Sequence, residues 1–423
     1  MRQETWRTAA GDCLLDSPGQ YSVMRLASAI CALSLLSAAP AFAGNWPQWR
    51  GPNRDGISTE KINTDWSATG PKVLWHAAVG IGFSSISVSQ GRAYTMGNSN
   101  DHETTWCFDA VTGKELWKHT YPSPLGAVYN EGGPVSTPTV AGNHVLAISK
   151  WGDVFCLDAA TGSVVWEHDL RQDGVISNRW GFAGSPLIWH ELVILNAGTE
   201  GCAFELKTGR LAWLSGTKPT GYASPTLFKS DGKESVLIFA AKQLVAVEPQ
   251  TGHELWRFSW ETGWNENSTD PLIYRNHILI SSFTRGCGLL MAKPGAPEVI
   301  YDKKTLSTHL SPGILLGEDL YAFSGEAKQK TDFRCFHVPS GDVKWTQKEP
   351  AFGSLICADG KLVILSEKGE LVIGEPSSME FKPLARAQVI GGLCWTPPAL
   401  ADGLLYVRNA TGELVCLDLK PGA

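Results

Sequence analysis

Short apolar stretches alternate with polar, glycine-bearing turns along most of the chain, and no helical heptad pattern interrupts them. One phrase recurs. Cys107-Phe-Asp-Ala-Val-Thr-Gly-Lys-Glu-Leu-Trp117 returns as Cys156-Leu-Asp-Ala-Ala-Thr-Gly-Ser-Val-Val-Trp166 and, eroded, at 203–213, 246–256 and 335–345; a truncated copy at 416–422 has no Trp. Each copy reads as strand, turn, strand. The Thr-Gly or Ser-Gly pair supplies the residue that tolerates positive φ in a short hairpin loop. The preceding carboxylate, Asp109 or Asp158, accepts hydrogen bonds from the turn's free N–H groups. The Trp, four residues beyond the Gly, packs into the neighbouring unit. The docking positions are thus Asp109, Gly113 and Trp117; Asp158, Gly162 and Trp166; Gly209 and Trp213; Gly252 and Trp256; and Gly341 and Trp345.

A second hairpin lies upstream of the phrase, as Thr139-Val-Ala-Gly-Asn-His-Val-Leu-Ala-Ile148 and again as Ala399-Leu-Ala-Asp-Gly-Leu-Leu-Tyr-Val407. Four short strands per unit of about 40–50 residues describe a propeller blade. A small residue followed by Pro starts most units, at Thr137, Ser185, Ser224, Asp270, Ser311 and Pro397, where Pro is tolerated at the first residue of a strand. Two further starts, near Ser85 and Ser354, lack the Pro, and two units, around 289–301 and 370–384, lack the Trp. The pattern predicts an all-β fold: an eight-bladed β-propeller of four-stranded antiparallel blades. The last copy has only three strands, so an orphan strand at 72–79 carrying Trp75 is expected to complete it and leave no open sheet edge. Seven blades is the alternative, because the two degenerate units are read by spacing alone.

Outside the repeats, residues 24–43 have the form of a secretory signal: Arg25, an apolar run from Leu26 to Leu36, then Ala41-Phe-Ala43 before Gly44. Cleavage is expected near Ala43/Gly44, giving a periplasmic or secreted protein. Residues 1–23 read as an upstream mis-start, with translation beginning at Met24. The apolar run is too short for a transmembrane anchor, and Cys31, preceded by Ile30, makes no lipobox. Residues 44–69 form an irregular N-terminal arm, and 70–423 the propeller, expected to be a monomer.

Composition removes several function classes. Against 42 Asp and Glu stand 36 Lys and Arg, a net charge of −6 without a basic run, so no nucleic-acid partner is expected. Ten cysteines in an exported chain would suggest disulfides. Yet Cys107, Cys156, Cys335 and Cys416 occupy one equivalent position in separate blades, too far apart to bridge, and read as small buried apolar residues. Pairing of Cys202, Cys287, Cys357 and Cys394 stays open. The ten histidines are scattered, so no metal site is predicted.

The phrase Asp109-Ala-Val-Thr-Gly-Lys-Glu-Leu-Trp117 and its copy at 158–166 resemble the tryptophan-docking motif of pyrroloquinoline quinone (PQQ) repeat propellers. The resemblance covers about residues 70–423. It implies the fold strongly and function weakly, since BamB-type factors and quinoprotein dehydrogenases share the repeat. A dehydrogenase of this family would need PQQ, Ca²⁺ and a carboxylate base. The chain has no vicinal Cys-Cys pair and no Cys-x-x-Cys-His for a haem. The favoured expectation is therefore a non-catalytic exported propeller without cofactor, acting as an interaction scaffold for an envelope protein or as a ligand-binding module. The alternatives are a small PQQ/Ca²⁺ oxidoreductase acting on alcohols or sugars, with Glu266 or Asp270 as base, and a carbohydrate-binding propeller. Candidate ligand residues lie on the connections entering the innermost strands: Asn130, Glu131, Arg179, Trp180, Asn265, His309 and Trp395. Aromatic rings with a few fixed polar groups suit a flat or sugar-like ligand; alternatively, Trp180 and Trp395 plug the ring. Arg179 could pair an anionic ligand or a carboxylate across the channel. Asn265, Glu266, Asn267 and Asp270 could offer oxygens to Ca²⁺.

Overall fold

A computed structural model describes residues 44–422 except 67, 68, 231 and 328. The expected leader and mis-start lie outside the described residues. Eight four-stranded antiparallel sheets follow one another around a ring, spanning 87–122, 139–169, 187–214, 226–259, 272–303, 314–347, 353–388, and finally 399–418 with Lys72–Ala78. These are blades 1 to 8. First strands of neighbouring blades touch, which puts them innermost. No helix among the described residues is long and apolar enough to cross a membrane.

The orphan N-terminal strand does close the ring. Lys72–Ala78 pairs antiparallel with Glu413–Asp418, opposing Trp75 to Cys416. Trp75 then lies over the blade 1 turn: a Cβ on Gly113, whose φ is +69°, would stand 2.5 Å from the indole, so only glycine fits there. The indole Nε1 donates to the Ala110 carbonyl at 3.2 Å. The same donation runs from Trp117 to Ala159, from Trp166 to Leu206 and from Trp213 to Pro249. At the turn itself, Asp109 accepts from the Thr112 N–H at 2.8 Å and the Thr112 hydroxyl at 2.7 Å, which holds its pKa below the usual carboxylate value.

The two blades without a Trp differ in their physics. In blade 5, Tyr301 takes the Trp position opposite Leu289 and donates to the Val338 carbonyl at 2.7 Å, resting against Gly341. In blade 7 the equivalent position, opposite Ile373, holds Ala385. Its neighbour is blade 8, whose fourth strand, Lys72–Ala78, comes from the other end of the propeller rather than through a third-to-fourth-strand turn.

All eight described cysteines are free and buried. Cys107, Cys156, Cys335 and Cys416 each sit on the third strand of a blade, fully enclosed.

A second seam reinforces the closure. Arg408, on the blade 8 strand Leu404–Arg408, is completely buried. Its guanidinium donates to the carbonyls of Ser84, Met96 and Gly80 at 3.1, 2.7 and 3.0 Å, and to the Thr95 hydroxyl at 3.1 Å. All four acceptors belong to blade 1 or the segment leading into it.

The arm lies at the centre of the ring. Trp46 exchanges 2.8 Å backbone hydrogen bonds with Val88 of blade 1, and Pro47 accepts from Val140 of blade 2. Arg54 donates to the Pro186 carbonyl and Arg50 to that of Gly313. Ile57–Ser58 then pairs parallel with the inner strand Gly353–Ala358, and Gly403 donates its N–H to Glu60. The apex, Trp49 to Arg54, thus reaches the beginnings of the inner strands.

Candidate functional site

The small residues that begin the blades do more than precede Pro. The Ser85 N–H donates to the Thr137 hydroxyl, the Thr137 N–H to Ser185, the Ser185 N–H to Ser224, and the Ser224 N–H to the Asp270 carboxylate, at 2.7–3.1 Å. This belt crosses five blades. It needs a short side chain with an acceptor oxygen, which accounts for Thr, Ser or Asp at these positions. Asp270 ends it, and its second oxygen accepts from Trp49 Nε1 at 2.7 Å.

Immediately above the belt the channel opens into a cavity of about 630 Å³. Seven of the eight blades contribute the residues just before their first strands, and Trp49 of the arm closes the floor. The walls are largely aromatic. Phe83 stacks on Trp395 at 5.3 Å, Trp180 meets Tyr222 edge-on at 5.6 Å, and Phe283 packs on His309 at 5.1 Å. At the rim the Arg179 guanidinium lies over the rings of Tyr129, Trp180 and Trp264, 4.7–5.5 Å from each centroid, a separation at which the cation is held by the ring faces.

Of the residues singled out in the sequence, Asn130, Arg179, Trp180, His309 and Trp395 line this cavity, as do Glu266 and Asp270. Glu131 and Asn265 are not among its lining residues. Asn265 adopts φ +57° in the turn following Thr262. Asn267 is fully buried: its amide donates to the carbonyls of Ala240, Ala241 and Trp260, and its oxygen accepts from Ser282. Sequence reading missed Phe83, Tyr222, Phe283 and Glu326. Phe283 and Glu326 follow the second strands of blades 5 and 6, His277–Ser282 and Asp319–Gly325, in hairpin loops with no distinguishing pattern, whereas Phe83 and Tyr222 sit beside strand starts already marked by the repeat.

The polar groups are few and unlike one another. Burial pushes the His309 pKa down to about 4, so the ring is neutral at pH 7. Its Nδ1 accepts from the Ala327 N–H at 3.3 Å, which places the proton on Nε2. Burial, and then the nearby Glu326, raise the Glu266 pKa, while Arg179 acts in the opposite sense. No hydrogen bond to either carboxylate, Glu266 or Glu326, occurs among the described residues.

Beneath the Arg179 loop, Lys150 is buried and its carbonyl accepts from Phe182 at 2.9 Å. Lys150 in turn donates its own N–H to Glu103, which also accepts from the Tyr121 hydroxyl at 3.0 Å. Burial raises Glu103 from 4.5 to about 7. The folded state therefore holds this proton more tightly than the unfolded chain. The stability associated with it is present below about pH 4.5 and is lost as pH climbs to about 7, by roughly 3 kcal/mol. Scanning calorimetry between pH 4.5 and 7.5 should show that decline, and Glu103→Gln should flatten it; an unchanged slope in the variant would exclude Glu103 as its source.

A family model described as outer membrane protein assembly factor BamB matches residues 107–347, more than half of the chain. No curated protein matches it in sequence. Among solved structures, BamB from Moraxella catarrhalis superposes with TM-score 0.61 at 14% identity, over 83% of this chain and 100% of that one. Quinohemoprotein alcohol dehydrogenase from Comamonas testosteroni does so with TM-score 0.64 at 14% identity, over 91% and 83%. A europium-containing methanol dehydrogenase gives 0.58 at 12%, over 89% of each chain. These likenesses concern the fold.

The cofactor of such dehydrogenases does not fit this mouth. PQQ is a tricarboxylate, whereas the charged residues lining the described cavity are Arg179 against Glu266, Asp270 and Glu326. Nor does any group of three or more His, Cys, Asp or Glu among the described residues converge to hold a metal. Of the oxygens expected for Ca²⁺, those of Asn267 and Asp270 are committed to hydrogen bonds within the protein. What the repeats, the docked tryptophans and the family match establish together is that the chain belongs to the PQQ-like β-propeller family described by the BamB model.

Proposed function

We propose that this chain is a non-catalytic propeller of the cell envelope whose channel mouth binds a small, ring-shaped ligand of sugar-like size. The observation carrying the reading is the aromatic-walled cavity of about 630 Å³, built jointly by seven blades and floored by Trp49. Its volume lies in the range of small-molecule sites, and ring faces beside sparse polar groups suit a flat or pyranose-like body. The envelope setting rests on the signal-like segment 24–43 and on the likeness to BamB. The oxidoreductase alternative is disfavoured by the carboxylate-rich lining and by the two hydrogen bonds that occupy Asp270.

A glycan array probed with the full chain, followed by titration of its tryptophan fluorescence, tests the reading. At least one class of cyclic saccharide is expected to bind and to perturb the fluorescence. Trp180→Ala should weaken that binding about tenfold, the loss of one ring contact. An array without hits, or hits indifferent to Trp180→Ala and Trp395→Ala, would refute it. Addition of PQQ with Ca²⁺ should give no dye reduction with alcohols or sugars.

A further inference from the structure

We infer that the ligand of this mouth carries a positive charge, an ammonium or guanidinium group, which Glu266 and Glu326 receive inside the aromatic walls. The inference rests on the ring-binding reading above and specifies the chemistry of its ligand.

Two observations support it. First, the cavity holds a carboxylate pair: Glu266 and Glu326 both line it, and the charge of Glu326 acts on Glu266. Two like charges in one partly desolvated mouth repel, and an incoming cation relieves that repulsion. Asp270, by contrast, is satisfied by Ser224 and Trp49, with Arg50 and Arg54 close enough to offset its charge.

Second, the cation already at the rim is not paired with them. Arg179 spends its guanidinium on three ring faces, and no ion pair joins it to Glu266 or Glu326 among the described residues. The same rings that hold Arg179 show that this wall accommodates a cation.

A metal ion is the poorer occupant, because two carboxylates fall well short of the six or more oxygens that calcium takes.

Isothermal titration calorimetry at low ionic strength decides the point, with matched probes: glucosamine against glucose, and benzylammonium against benzyl alcohol, with calcium chloride alone as a further arm. The charged member of each pair is expected to bind at least tenfold more tightly. The Glu266→Gln/Glu326→Gln double variant should abolish that preference while its circular dichroism spectrum and thermal midpoint stay native. Equal affinity of charged and neutral partners would overturn the inference and leave the ring-binding reading standing. No binding by any probe would count against both. Saturable binding of calcium alone, lost in the double variant, would identify a metal site and overturn the inference as well.

Discussion

Trp75→Ala is expected to destabilise the protein by about 3–5 kcal/mol, the range for removing a buried Trp ring. Docked tryptophans at the other seams join blades that the chain already connects. Trp75 joins the first strand of the propeller to blade 1 across the point where the ring is cut. Its loss removes the indole from the Gly113 turn, from Tyr406 at 5.9 Å and from Phe108 at 6.1 Å, and leaves the Ala110 carbonyl with the Tyr406 hydroxyl as its remaining side-chain donor. With that seam loosened, Glu413–Asp418 becomes an edge strand. Denaturant unfolding monitored by fluorescence should show a lower midpoint, and light scattering a tendency to associate. A shift below about 1 kcal/mol would mean that strand pairing alone closes the ring.

Arg408→Ala is the second large effect, on the order of 3 kcal/mol or more, because three buried carbonyls each lose a donor at a cost of about 1–3 kcal/mol. Burial pulls the Arg408 pKa down to about 9. The cation is tolerated because its planar fork meets four acceptors of the adjoining segment. Without it, the carbonyls of Gly80, Ser84 and Met96 lose this donor. Arg408→Lys is expected to recover little, since one ammonium cannot span acceptors spread over both guanidinium nitrogens. Recovery of full stability by Lys would show that charge alone matters here.

Arg408 also shows where reading the sequence fails. It follows an apolar run, Leu404-Leu-Tyr-Val407, and nothing local distinguishes it from a solvated residue at a strand end. Its burial comes from residues 312 to 328 positions earlier in the chain. Tyr301 and Ala385 were hidden for a related reason: the repeat marks a Trp, but whether Tyr or Ala can stand in depends on the turn the next blade presents. The belt was half legible. Pro after a small residue announced strand starts, while the need for an acceptor side chain appears only once neighbouring starts are 3 Å apart.

Among the mouth residues, Arg179, Trp180 and Trp395 stood out because bulky and charged groups are unusual beside strand starts. Tyr222, Phe283 and Glu326 did not, although the cavity uses all six. The sequence by itself determined the propeller fold, the closing strand of Trp75 and the burial of the repeat cysteines, and it favoured eight blades over seven. Those features follow from local periodicity and from a phrase repeated at fixed spacing, which each blade satisfies with its immediate neighbour. Tertiary structure alone decided which loops share a mouth, how Trp49 comes to line it, and that Glu266 and Glu326 line the same cavity. Closing a ring brings together residues from opposite ends of the chain, and the charges and rings that meet there are set by geometry across the channel, which no local pattern records.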